Sequence, residues 1–207
     1  MLQWIKRRGT WLFVIFAVCF AAVNLALWGQ LSLVRRFVTI FALLAAAHEV
    51  EEKVWPGGFF ELMLRKFGIR KEEVDLERAS AAVSVYWLLL LLLPYYLDRY
   101  AWLLVIPITL SFFEAFIHTA GVWIHHMPRP YTPGLVTAWL LAVAAVAASG
   151  ALRAEGRVGA GGWMAGVLAM VVSFLGLDLF IVAGFGEKRK EIAAKIRAHI
   201  KDKQTRG

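Results

Sequence analysis

The stretch Leu31 to Trp55, LSLVRRFVTIFALLAAAHEVEEKVW, decides how this chain is arranged. Its uninterrupted apolar part runs only from Phe37 to Ala47, short of the ~20 helical residues that cross a hydrocarbon core of about 30 Å. If Arg35 and Arg36 extend their charged ends to one interface, the helix must continue to Trp55 before it meets the other. His48, Glu49, Glu51 and Glu52 then stand at membrane depth, and Pro56-Gly57-Gly58 supplies the stop. The segment reads as a spanning helix with an ionisable end.

Five plainer spans surround it, at Trp11 to Trp28, Ala79 to Leu97, Tyr100 to Trp123, Pro133 to Leu152 and Val158 to Phe185. Apolar residues make up 60% of the 207 and charged residues 18%, with a mean hydropathy of +0.63. Soluble domains run at about 45–50% and about 25%, so a water-soluble globular chain is excluded. The predicted fold is all-α, a polytopic membrane protein with a bundle of about six transmembrane helices over residues 1–185. Lys6-Arg7-Arg8 before the first span resembles the start of a signal peptide, but the apolar run exceeds the usual 7–15 residues, so an uncleaved helix is expected. The single cysteine, Cys19, lies inside that run and excludes an internal disulfide or a cysteine-based zinc site.

Lys and Arg set the orientation. With six spans the termini share a side, and that side carries 18 of the 23 basic residues. The other holds only Arg35, Arg36, Arg99, Arg153 and Arg157, so a multi-pass cell-membrane protein with both termini cytoplasmic is expected. Two segments are expected to lie on the membrane rather than through it. Residues 58–78 begin with the apolar, sparsely charged GFFELMLRKFGI, as an interfacial cytoplasmic segment would. Residues 186–207 form a basic amphipathic tail with Ile192, Ile196 and Ile200 four apart, suited to anionic headgroups. The net charge of +8 is accounted for in this way, without nucleic acid as a partner. No internal repeat, phosphate loop, Ser-His-Asp set or dinucleotide motif occurs.

Ionisable residues inside a membrane cost about 2.5–3.5 kcal/mol each, so they persist where they pair, bind something or line a path. His48, Glu51 and Glu52 stand at i, i+3 and i+4 on one helix face, with Glu49 turned elsewhere. In the span from Tyr100 to Trp123, Glu114, His118 and, just beyond it, His125 share another stripe. Asp178 lies within two turns of the end of the last span, in the same half of the bilayer, whereas Asn24 lies in the other. Three carboxylates and an imidazole within five residues repel unless a cation or shared proton offsets them. Helical bundles build metal centres from Glu and His pairs at this spacing. An interfacial cluster paired with Lys53 is the blander reading. Pro128, Pro130 and Pro133 punctuate the loop that follows, with Pro133 suited to a first helical position and Tyr131 and Thr132 offering a phenol and a hydroxyl.

These residues resemble the HXXEE domain proteins, whose motif stands here as His48-x-x-Glu51-Glu52. His118 in a later span and Tyr131-Thr132-Pro133-Gly134, with Thr137 after it, are similar to that family's other hallmarks, and the like region covers about residues 37–152. The resemblance implies one shared site and no particular activity; Glu114 rests on its spacing. There is also a partial likeness to zincins in His48-Glu49-x-x-Glu52, but the second histidine of that motif is missing.

The reading that follows is a membrane-embedded metal-dependent enzyme acting on a lipid or other hydrophobic substrate at the cytoplasmic leaflet. The expected cofactor is a divalent transition metal, zinc, iron or manganese, with hydrolysis or di-metal oxidation as its chemistry. Candidate ligands are His48, Glu51, Glu52, Glu114, His118, His125 and Asp178. Glu51 is ligand or general base, and Tyr131 a substrate contact. A proton-coupled transporter and a non-catalytic scaffold are the alternatives. A site at one side of the bilayer and the missing repeat count against transport, since transport sites tend to lie at the midplane between repeats.

Overall fold

Lipid offers the backbone no hydrogen-bond partner, so a chain this apolar must satisfy its peptide groups within helices or a closed barrel. The computed structural model describes residues 2–66, 69 and 74–183, and among these there is no strand. The helices are α1 (Leu2–Ala26), α2 (Leu33–Lys53), α3 (Phe59–Lys66), α4 (Leu76–Tyr96), α5 (Val105–Ile124), α6 (Leu135–Ala154) and α7 (Ala160–Ala183). A 3-10 turn, Ala101–Leu104, leads into α5. Five helices, α1, α4, α5, α6 and α7, are long and apolar enough to cross a membrane.

The sixth, α2, has 21 residues but carries the ionisable groups. Its register against α4 settles what it does. At one end Ser32 donates to Asp98 at 2.7 Å and the Arg35 Nε lies 3.1 Å from the same carboxylate oxygen. At the other, Lys53 Nζ donates to the Ser80 carbonyl at 3.1 Å. The two helices are therefore antiparallel and of equal height, and α2 crosses whatever thickness α4 crosses.

Charge on α2 also explains its place. It packs against α1, α4 and α6, which close around Val34, Val38, Phe41, Ala42 and Ala45 and leave none of them exposed. Further out, α5 packs against α6 and α7, and α4 against α1 and α7. On α6 the buried positions are small, with Ala138, Ala142, Ala145 and Ala148 facing in, while Val136, Trp139, Leu140, Val143 and Val146 face out. Small residues inside let helices approach closely, and large ones outside meet lipid. Asn24 is buried away from the ionisable cluster, accepting from the Tyr95 hydroxyl at 2.6 Å.

Three sequence expectations need correction or placement. Pro133 is not the first helical residue: Gly134 occupies the N-cap with φ of 96°, a left-handed conformation, so α6 starts at Leu135. The segment after α2 does contain a short helix, α3, but its first residue, Phe59, is buried in the bundle. The basic tail, with Ile192, Ile196 and Ile200, lies outside the described residues.

If α2 crosses, single cysteines introduced on a Cys19→Ser background should divide by side. Gln30→Cys and Glu155→Cys are expected to react with an impermeant maleimide on intact cells, and Arg65→Cys and Arg129→Cys only after permeabilisation. Labelling of Gln30→Cys and Arg65→Cys from one side would remove α2 from the spanning set.

Candidate metal centre

The last two turns of α2 bring in His48, and the middle of α5 brings in Glu114 and His118 on one face, four residues apart. The Nε2 atoms of His48 and His118 lie 3.7 and 3.8 Å from the same oxygen, Glu114 Oε2. One donor atom from each residue falls within 4.8 Å of the other two. The imidazoles meet edge to face with centroids 5.0 Å apart. His48 is 1% exposed, His118 is fully buried, and Glu114 keeps 17% of its side chain open.

Hydroxyl groups fix which ring nitrogen carries the proton. Thr137 donates its only hydroxyl proton to Glu51 Oε2 at 2.5 Å, so towards His48 Nδ1, 3.0 Å away, it can only accept. Thr132 likewise donates to the His118 carbonyl at 2.9 Å and is left to accept from His118 Nδ1 at 3.4 Å. In its neutral form each imidazole therefore holds its proton on Nδ1 and presents a bare Nε2. Neither Nε2 has a hydrogen-bond partner, although both are buried.

Glu51 anchors this arrangement. Its Oε1 accepts from the Tyr131 hydroxyl at 2.9 Å and the Val136 N–H at 3.2 Å, and its Oε2 from the Thr137 N–H at 2.8 Å and the Thr137 hydroxyl. A carboxylate from α2 therefore caps α6, which has no side-chain cap of its own, at the end where its dipole favours negative charge. Burial, with the Glu51 hydrogen bond added, pushes the Tyr131 phenol up to about 12, so it stays protonated and remains a donor. Gly134 completes the loop. A Cβ there would stand 2.5 Å from His118 Cε1, 2.9 Å from its Nε2 and 3.0 Å from His48 Cε1. The close approach and the positive φ both demand glycine.

The remaining sequence candidates are placed differently. Glu52 is buried and within electrostatic reach of His48 and Glu114, but outside the three-residue cluster. Glu49, fully buried, faces α4, where it takes Lys53 Nζ at 2.5 Å and the Ser84 hydroxyl at 2.6 Å. Lys53 thus pairs with the cluster through Glu49, outside the three donors of His48, Glu114 and His118. His125 caps the C-terminus of α5, two turns beyond His118. Asp178 is exposed on α7, which packs on α4 and α5 rather than α2. Phe59 was not marked by its sequence pattern; its ring covers His118 at 4.1 Å.

The three donors could hold a metal ion. Two ligands each about 2.0–2.2 Å from one ion stand at most ~4.4 Å apart, so the 3.7 and 3.8 Å separations suit a shared ion and are too long for hydrogen bonds. A protonated second nitrogen held by an outer hydroxyl is the usual condition of a ligating histidine.

Gly134→Ala should lower the unfolding free energy by about 1–3 kcal/mol, as overpacking does. Gly150→Ala, in the C-terminal part of α6 with nothing within 4 Å of the added carbon, should be neutral or raise it by about 0.5–1 kcal/mol. Equal effects in detergent-solubilised protein would remove the close-approach argument.

No curated protein and no solved structure matches the chain at a significant level. The family described as "Protein of unknown function with HXXEE motif" matches residues 39–148, which takes in α2 from Thr39 through the greater part of α6. That match covers more than half of the sequence and every residue of the three-donor cluster, and the chain belongs to the HXXEE family.

Proposed function

We propose that the chain is a membrane-embedded, metal-dependent enzyme acting on a lipid or another hydrophobic substrate from the cytoplasmic leaflet. One observation carries the reading: two buried imidazole nitrogens, each without a hydrogen-bond partner, converge with a carboxylate oxygen. An unpartnered polar atom in a dry interior costs about 1–3 kcal/mol, and a single cation relieves both imidazoles and neutralises Glu114. Two histidines and one carboxylate suit zinc, iron or manganese and leave coordination positions open. When bound, such an ion supplies a Lewis acid for hydrolysis or, if it is redox-active, a centre for oxidation.

The protein's own contribution is to hold and to exclude. His48, His118 and Glu114 are the ligands. Thr137 and Thr132 hold the Nδ1 protons and so fix each ring's rotation. Glu51, saturated by its four donors, positions Thr137 and the start of α6. Phe59 keeps water from the face of His118. Glu52 is a further buried carboxylate within electrostatic reach of His48 and Glu114. Tyr131 is the substrate contact.

Metal content and thermal stability separate this reading from a scaffold in which the polar residues only join helices. Purified without chelator, the wild-type protein should carry about one transition-metal ion per chain and be stabilised by it. Thr137→Val should weaken affinity by about 10–100-fold, as outer-shell changes do, and Glu114→Gln and His118→Ala by more. A scaffold predicts no metal and no metal-dependent stability. It also predicts a neutral or stabilising Glu114→Gln, because that change removes a buried charge and keeps the shape.

A further inference from the structure

A groove of about 790 Å³ runs along the outer side of α2, between α1 and α6. Its floor is Ala46 and Ala47, too small to fill the gap, and its walls are Val14 and Val18 of α1 and Val136 of α6. The volume lies within the ~300–1,000 Å³ range of ligand sites. The exposed lining is apolar, so water finds no partners there. Val18 and Val136 are 53% and 57% exposed and belong to the outward-facing belt, so the groove opens sideways into the bilayer.

The two ends differ. At one, the floor and walls continue into the apolar middle of α1 and α2. At the other stand Glu51, Tyr131 and Thr137, beside Pro56 and a Trp55 that is 79% exposed. Tryptophan at such a position marks the headgroup level. The oxygens of Glu51, Tyr131 and Thr137 are turned to one another, so the groove is apolar along its length and meets the headgroup level at Trp55, which suits the chain of a membrane lipid. A water-borne molecule has no route to its midplane end.

From this we infer that the groove receives one acyl chain of a membrane lipid, entering sideways from the bilayer, with the lipid's polar end at the level of Trp55 and its tail running along α2 past Ala47. The inference rests on the enzyme reading above and names its substrate class. Thr137 links the two sites: it lines the groove, and its hydroxyl lies 3.0 Å from His48 Nδ1. A lipid in the groove lies one side chain away from a metal-binding histidine.

The full chain, reconstituted in phosphatidylcholine vesicles with a trace of phosphatidylcholine bearing a diazirine on its acyl chain, tests this by photolabelling and peptide mass spectrometry. Label should concentrate on residues 14–18 and 43–50 over the outer face of α7, where Leu168, Val172 and Leu179 are exposed. Ala47→Trp should lower labelling of the groove several-fold while leaving α7 and the metal content unchanged, and Val143→Trp on the outer face of α6 should change neither. Val18→Trp fills the groove from its other wall if Ala47→Trp does not fold. Label spread evenly over all exposed helices and indifferent to both groove variants would overturn the proposal. Metal content read from the same samples keeps the two claims apart. A groove labelled as expected in metal-free wild-type protein contradicts the metal reading alone, and uniform labelling of metal-loaded protein contradicts the groove alone.

Discussion

The carboxylate of Glu51 on the end of α6 is the contact on which the rest of the site depends. The first N–H groups of a helix have no partner within it, and in a membrane bundle an unsatisfied one costs several kcal/mol. Here the partner comes from another helix, α2, so the requirement that α6 be capped becomes a requirement that α2 and α6 meet at one height. The same carboxylate takes the Thr137 proton, which leaves Thr137 to accept from His48, and it holds Tyr131, which fixes the loop that carries Thr132 and Gly134 over His118. One carboxylate thus sets the rotation of one imidazole directly and the covering of the other through a short loop.

That dependence gives the family motif a division of labour. His48 offers a donor atom to the cluster, Glu51 holds the neighbouring helix, and Glu52 stays buried beside them. In Tyr-Thr-Pro-Gly, the tyrosine donates to Glu51, the threonine faces His118, and the glycine lets the backbone pass over both rings. Charge also explains why the least apolar long helix is the central one. Ionisable groups face hydrocarbon at a cost, so α2 is enclosed by α1, α4 and α6, and the helices left at the rim carry mostly apolar outer faces.

Much of this was legible in the sequence. Long apolar runs specified five helices, and the need for Arg35 and the His-Glu end to reach opposite surfaces specified the sixth. One-turn spacing paired Glu114 with His118, and the meeting with His48 followed from placing both helices in the same leaflet. Spacing could not say which way a carboxylate turns. Glu51 and Glu52 share the face of His48, yet Glu51 is taken by the backbone of α6, a tertiary partner that no periodicity reveals. Asp178 has the right depth but is exposed on α7, which packs on α4 and α5, since depth fixes one coordinate and rotation about the helix axis another. Phe59 carries no polar signal at all, and its role as the cover of His118 becomes visible only once the chain between α2 and α4 is folded back.

X-ray absorption spectroscopy of the metal-loaded protein at the edge of its bound metal tests the central claim most directly. A centre built from His48, His118 and Glu114 predicts two imidazoles and at least one oxygen in the ligand shell, falling to one imidazole in His118→Ala. A shell without imidazole, or a spectrum that His118→Ala leaves unchanged, would contradict it.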